Sequence, residues 1–314
     1  MRLLTRSDFD GLICAVLLKD MGLIEDRKFI HPKDIQEGLI EVSKNDILVN
    51  VPYAEGCGMW FDHHTSEEER IFIDSKSFKG SFSPDKSCAR VIYNYYGGDN
   101  GALRRFREMI YYADKCDSAD FTIDDIVSPQ DWVMLSFIMD SRTGFGRYRC
   151  FRIANYQLMD DLIEYLQNMS IEEIMRLEDI QERVSLYKSH EREFFNMIVN
   201  NSHVVEDVLI TDLRNIEETF VGNRHVPYAL YPETNISIRI LDGKNKQNIV
   251  FSVGHSIINR TATLNVGRLM SKFSGGGHMK VGTCQVNIED ADKTLDEILS
   301  VILKENKESA SSFV

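Results

Sequence analysis

The first eighteen residues leave this chain little choice of fold. Residues 2–5 are mostly apolar, Ser7-Asp8-Phe9-Asp10-Gly11 forms a polar turn, and residues 11–18 make the longest near-apolar run in the sequence. Strand, tight turn and helix in direct succession open a parallel sheet, whose neighbouring strands need a covering crossover. The pattern then repeats. Residues 47–51 and 59–61 read as short buried strands, and residues 87–96 as a helix stopped by Gly97-Gly98. Residues 103–113 and 132–139 read as further helices, and residues 159–199 are helix-like, charged and nearly free of Gly and Pro. Asn200-Asn201-Ser202 breaks that run, and the composition changes after it. Residues 204–211, 228–231, 235–241 and 248–253 are strand-like, with turns such as Asp242-Gly243 between them. A helix over 264–273, a glycine run, a strand over 282–288, a helix over 292–304 and a tail from 307 complete the chain. The expectation is an α/β domain with a mainly parallel sheet over 1–200, followed by a smaller α+β domain over 201–314. A length of 314 residues agrees with two domains at about 150 residues each.

Composition removes several function classes. With 43% hydrophobic and 27% charged residues, the chain is neither disordered nor collagen-like nor a small disulfide scaffold. Its longest apolar run falls far short of the ~20 residues of a membrane span. Residues 1–10 carry charge where a secretion signal would be apolar. Cys14, Cys57, Cys88, Cys116, Cys150 and Cys284 form no CxxC pair, which fits reduced thiols and a cytoplasmic protein. The net charge of −13 disfavours a general DNA-coating role. Residues 1–202 hold 24 Lys/Arg against 35 Asp/Glu, while residues 224–284 hold eight basic residues and only Glu233 and Asp242 as acids. That asymmetry suits a metal site in the first part and an anion-binding lobe in the second; charges scattered over a solvated surface are the alternative.

Four clusters could carry chemistry. Asp8 and Asp10 flank Phe9 in the first turn, and two carboxylates so close repel unless a cation neutralises them; alternatively one of them caps the helix. Asp62-His63-His64 follows an apolar run and pairs carboxylate with imidazole, as a borderline divalent metal prefers. Asp114, Asp117 and Asp120 gather at the end of a helix. Gly275-Gly276-Gly277-His278 lets backbone N–H groups approach an anion closely, or simply stops a helix.

In this order the clusters resemble the DHH/DHHA1 phosphoesterase superfamily, in its exopolyphosphatase-related branch. Asp8-Phe9-Asp10-Gly11 stands where the family has its first motif, Asp62-His63-His64 where it has the namesake motif, and Gly275-Gly276-Gly277-His278 where the DHHA1 domain has its glycine-rich motif. The resemblance spans nearly the whole chain. It implies a phosphohydrolase using one or two divalent ions, most naturally Mn²⁺, that neutralise charge on phosphorus as the bond breaks. It implies Asp8, Asp10, His63 and Asp114 as metal ligands, with Asp62 beside them and Asp117 and Asp140 as rivals for the place of Asp114. It implies that His64 faces the substrate phosphate, and that Gly275, Gly276, Gly277, His278, Arg260 and His255 hold the distal end of the substrate in a cleft between the domains. The substrate would be a short single-stranded oligonucleotide, a nucleoside bisphosphate, a cyclic dinucleotide or polyphosphate. No membrane role is expected, and the 159–199 stretch would serve a homodimer or another partner.

Two positions depart from the family pattern. Arg6 stands where many relatives carry a metal-binding His, and Asn50 where they carry an Asp. Arg6 cannot ligate a metal, and Asn50 offers only a neutral carbonyl. The implied site is therefore short of negative charge, unless Arg6 takes over the role of one ion and holds a phosphate oxygen. A nucleotide-binding regulatory protein with a weakened catalytic site is the alternative function.

Overall fold

A computed structural model describes residues 1–65, 78–217 and 219–311. The chain divides into two compact units, Met1–Phe121 with Ser128–Tyr187, and Thr122–Val127 with Lys188–Val314. The division falls inside the helix Glu178–Asn200, ahead of the Asn200-Asn201-Ser202 break.

The first unit is built on five parallel strands in the order β2-β1-β3-β4-β5. They are β1 Arg2–Thr5, β2 Asp26–Phe29, β3 Asp46–Val49, β4 Met59–Asp62 and β5 Gly80–Phe82. The central strands β3 and β4 are buried at every residue, which is why they read as unbroken apolar runs. The edge strand β2 alternates between exposed and half-buried. From β1 the chain goes to β2 on one side, then returns to β3 on the other. The strand order therefore reverses between β1 and β3, the position at which open parallel sheets bind ligands beyond their carboxyl ends.

The helix Phe9–Asp20 is buried from Phe9 through Leu18, because helices Cys88–Tyr95, Arg107–Asp117 and Asn155–Tyr165 all pack against it. A helix covered on every side needs no polar face. Gly11 is obligatory in its first turn: a Cβ there would stand 2.2 Å from the Arg6 carbonyl oxygen and 2.9 Å from Thr5 Oγ1. On the other side of the sheet Trp60 stacks on Phe82 at 5.7 Å between ring centroids, and its Nε1 donates to the Val51 carbonyl at 2.9 Å.

The second unit carries a six-stranded sheet in the order β10-β11-β9-β8-β7-β6, from β6 Ser202–Val205, β7 Val208–Asp212, β8 Ile236–Asp242, β9 Ile249–His255, β10 Gly276–Gly277 and β11 Val281–Val286. Only the β7–β8 pair is parallel. β8 alternates buried Ile236, Ile238 and Ile240 with half-buried neighbours. Those isoleucines join Phe251, Leu269, Met270, Ile298 and Ile302 in one core, under helices Val266–Ser271 and Ala291–Ser311.

Several elements differ from the sequence expectation. Residues 228–231 do not form a strand; Val226–Leu230 is a helix with Pro227 in its first turn. Pro lacks the N–H a ladder needs and suits a helix start. The 159–199 run is three helices, Asn155–Tyr165, Ile171–Ile174 and Glu178–Asn200. Ser170 and Glu173 form a capping box that starts the second. The expected tail is largely helical, since the last helix runs to Ser311. No helix among the described residues is long and apolar enough to cross a membrane.

Candidate metal centre

The carboxyl ends of β1, β3 and β4 bring the first two motifs together. Asp8 caps the helix Phe9–Asp20: its Oδ1 accepts from Gly11 N at 2.9 Å. The same Oδ1 accepts from Asn50 Nδ2 at 3.1 Å, and Arg6 Nε lies 3.1 Å from Oδ2. Asn50 turns the chain out of β3 with φ of 56°, a left-handed conformation that Asn tolerates better than most residues. Asp10 is the second residue of that helix, in its first turn, and is 2% exposed. Its two oxygens accept the backbone N–H groups of Cys88 and Ala89, each at 2.9 Å, where helix Cys88–Tyr95 begins and its dipole favours an anion.

Asp62 is the last residue of β4, and its Oδ1 accepts from His63 N at 2.9 Å and pairs with His64 Nδ1 at 2.7 Å. His63 Nδ1 lies 3.1 Å from the Asp85 carbonyl oxygen. A carbonyl can only accept, so Nδ1 carries a proton, and in the neutral ring Nε2 is the nitrogen left to ligate a metal. That Nε2 is buried without a hydrogen-bond partner among the described residues, 3.3 Å from Asp117 Oδ2 and 3.9 Å from Asp10 Oδ2. Asp10, His63 and Asp117 thus offer three ligating atoms within 4.8 Å of one another.

These residues fit a divalent cation. Thr5 Oγ1, Asn50 Oδ1, Asp62 Oδ2 and His63 Nε2 are all buried with no hydrogen-bond partner among the described residues, and all four stand at or just beyond the carboxyl ends of β1, β3 and β4. Leaving such groups unpaired costs about 1–3 kcal/mol each. The charges give the same indication. Burial, with Asp117 and Asp8 nearby, pushes the Asp10 carboxyl up to about 7, against the pull of His63 and the Ala89 N–H. Desolvation also raises Asp117, although its side chain keeps 32% exposure at the rim of the cluster, with Asp8 adding to it and His63, His64 and Arg6 opposing. A cation among them would reverse this crowding. Burial works against the His64 cation, yet the hydrogen bond to Asp62 outweighs it and the ring's pKa is raised.

Asp114 is engaged elsewhere. Its Oδ2 accepts from Arg90 Nε at 2.9 Å and Nη2 at 2.6 Å, and its Oδ1 accepts from Ser87 Oγ at 2.8 Å. It pins helix Arg107–Asp117 to helix Cys88–Tyr95 and stays out of the cluster, where Asp117 stands instead. Asp140 is likewise engaged, gripped by Arg142 through Nε at 2.7 Å and Nη2 at 2.8 Å. Arg142 was not expected from the sequence; burial lowers its pKa, but Asp140, Asp8 and Asp117 together raise it. A cavity of about 480 Å³ opens beside Arg6 and Asp8 and is lined also by Lys28, Phe29, Arg142 and Tyr156.

The remaining expected residues lie in the second unit. Gly276 and Gly277 are strand residues paired with β11, so the glycine run forms a hairpin edge. Gly275 and Gly277 are required there, because a Cβ would stand 2.1 Å from the Thr283 oxygen or 2.2 Å from the Val281 oxygen. The exposed His278 closes that hairpin, donating its N–H to the Val281 carbonyl at 2.7 Å. His255 Nε2 meets the Leu264 carbonyl at 2.8 Å, and burial lowers its pKa. Arg260 Nε donates to the Ile257 carbonyl at 2.8 Å.

No protein-family model and no curated protein matches the chain. Solved structures do. The pGpG-specific phosphodiesterase PggH from Vibrio cholerae is 44% identical, with 97% of this chain and 99% of that one covered at a TM-score of 0.84. An exopolyphosphatase-related protein from Bacteroides fragilis covers 95% of this chain and 91% of its own at 13% identity and a TM-score of 0.51. The DHH domain of a member of the s1p family of ribosomal proteins covers 97% of this chain and 87% of its own, at 11% identity and a TM-score of 0.58. The last two share the fold alone. An identity of 44% over almost the full length of both chains goes further, and with the two motifs meeting at the sheet's switch point, this chain belongs to the DHH phosphoesterase superfamily.

Proposed function

We propose that the protein is a divalent-metal-dependent phosphodiesterase that hydrolyses a short linear dinucleotide of the pGpG type. The observation that carries the substrate is the 44% identity to a pGpG-specific enzyme. What supports the chemistry is His63 Nε2, buried with no hydrogen-bond partner among the described residues and facing Asp10 and Asp117. Asp10, His63 and Asp117 would hold one ion, with Mn²⁺ the first candidate for a mixed imidazole and carboxylate set. Asp8, Asp62 and Asn50 Oδ1 border a second, poorer position, because Arg6 and Asn50 already bond both oxygens of Asp8.

When bound, the ion supplies Lewis-acid stabilisation of charge on phosphorus and activation of water. This chain's own residues do the rest. His64, oriented by Asp62, is poised as a donor to a phosphate oxygen. Burial disfavours the charged ring, but the bond to Asp62 outweighs it and raises its pKa, which favours the donor form. Arg6 and Arg142 place fixed positive charge beside the carboxylates, where the charge that grows on the attacked phosphodiester needs compensation. Water adds across the 3′–5′ phosphodiester, and pGpG becomes two molecules of GMP.

The test is a substrate panel with Mn²⁺ or Mg²⁺: pGpG, cyclic dinucleotides, short RNA, nucleoside bisphosphates and polyphosphate. Cleavage of pGpG, abolished by His63→Ala, is the expected result. Turnover of another phosphoanion with pGpG untouched overturns the substrate. The Arg6–Asp8 pair also favours a second reading, a nucleotide-binding regulatory protein with a weakened site. Tight nucleotide binding with no hydrolysis under any ion would establish it.

A further inference from the structure

The cavity at the carboxyl ends of β1 and β2 has features that cation binding does not explain. Its volume of about 480 Å³ lies within the range of small-ligand sites. Two aromatic side chains line it, with Phe29 and Tyr156 rings 6.1 Å apart and inclined by 33°. Tyr156 is 63% exposed, so a face of its ring is open to a planar ligand. Three cationic side chains line the same cavity. Arg6 and Arg142 are tied to Asp8 and Asp140, whereas Lys28 has no ion-pair or hydrogen-bond partner among the described residues. Asp34 adds an acceptor: one carboxylate oxygen takes the His31 N–H at 3.3 Å, and the other has no partner among the described residues.

From this juxtaposition we propose that the cavity is the guanine-nucleotide subsite next to the scissile phosphate. The base stacks on Tyr156 against Phe29. The free oxygen of Asp34 accepts from N1–H or the 2-amino group of guanine, donors that adenine does not present on that edge. Lys28 meets the nucleotide phosphate, and Arg6 reaches the same phosphate from the metal side. This assignment rests on the dinucleotide substrate proposed above, and it adds which residues choose the base. All of its members belong to the first unit, so the pocket is complete without the glycine-rich hairpin.

The experiment is calorimetric binding of GMP and AMP to the full chain in EDTA, which removes catalysis from the readout. The wild type is expected to bind GMP at least tenfold more tightly than AMP. Tyr156→Leu should weaken GMP about tenfold, as expected for loss of one base–aromatic stack. Lys28→Gln should weaken both nucleotides, and Asp34→Asn should close the gap between them. Thermal unfolding of each variant confirms that the fold survives; Tyr156 and Lys28 are exposed, so their replacement leaves the core intact. Equal affinity for GMP and AMP, or unchanged GMP binding in Tyr156→Leu and Lys28→Gln, overturns the subsite. Turnover of pGpG by the wild type is measured separately. GMP binding with this pattern but no pGpG cleavage would refute the phosphodiesterase reading and leave the subsite standing. Cleavage without that pattern would do the reverse.

Discussion

Replacing Asp117 and Asp114 one at a time by Asn separates a metal ligand from a structural carboxylate on the same helix. Asp117 Oδ2 lies 3.3 Å from the partnerless Nε2 of His63, and it is one of three ligating groups in its cluster. Its loss should weaken Mn²⁺ by at least about 100-fold, the upper end of what losing even an outer-shell partner costs. The metal-free protein should be no less stable, because Asn removes one carboxylate from a crowd whose pKa values are already raised. Asp114 is the opposite case. It accepts three hydrogen bonds, from Arg90 Nε and Nη2 and from Ser87 Oγ, and its side chain is 14% exposed. Asn keeps one acceptor oxygen, which can serve Arg90 or Ser87 but not both, and it loses the charge. A cost of about 1–2 kcal/mol follows once partial exposure of Arg90 is allowed for, or roughly 2–8 °C in a unit of this size. Thermal melts without metal and with Mn²⁺ at about 100 times its dissociation constant give both quantities. Saturation of that order adds about 2.7 kcal/mol, a rise of roughly 5–10 °C. Wild type and Asp114→Asn should show that rise, and Asp117→Asn should not. If Asp114→Asn loses the rise while Asp117→Asn keeps it, the ligand assignment is wrong.

Three further outcomes follow from other parts of the chain. Gly11→Ala should destabilise the first unit by about 1–3 kcal/mol in urea denaturation, since its Cβ would meet backbone oxygen at 2.2 Å; a neutral result would show that the Arg6 loop moves freely. Burial alone would raise the Asp46 pKa, but hydrogen bonds from Arg2 and Ser43 outweigh it and hold the carboxyl low. Its contribution is therefore complete above about pH 4 and lost as pH falls through the lower folded value; Asp46→Asn should flatten that part of the acid-stability curve, and an unchanged acid limb would count against it. Burial pushes Cys88 up to about 12 and Cys57 to about 11, while Cys150 is the exposed thiol; peptide mapping after alkylation at pH 8 should find Cys150 modified first and Cys14, Cys88 and Cys284 protected.

Much of the site was legible because its pieces are local. A strand that ends at Thr5 and a helix that starts at Phe9 must set Asp8 and Asp10 at a carboxyl end of the sheet. Asp62-His63-His64 follows an apolar strand and must emerge at the same edge, since parallel strands share one direction. The departures Arg6 and Asn50 could also be named from sequence, and the structure puts both on Asp8. The helix at 226–230 was missed because Val-Pro-Tyr-Ala-Leu is apolar without a period, and only the capacity of Pro227 to start a helix argued otherwise. The glycine run invited an anion nest; pairing with β11 made it a hairpin edge.

Local chemistry alone thus determined which residue types stand at which strand ends, since a turn and the period of a strand are properties of a few consecutive residues. Which side chains meet was decided only by the tertiary structure. Asp114 and Asp117 lie three residues apart on one helix and look alike in sequence. Arg90 on the helix Cys88–Tyr95 claims the first, and His63 beyond β4 faces the second. Phe29 and Tyr156 are far apart in the chain and meet only because helix Asn155–Tyr165 returns to the end of β2. A carboxylate becomes a ligand or a strut according to the partner it meets, and that partner comes from a distant part of the chain, placed by packing that no local pattern encodes.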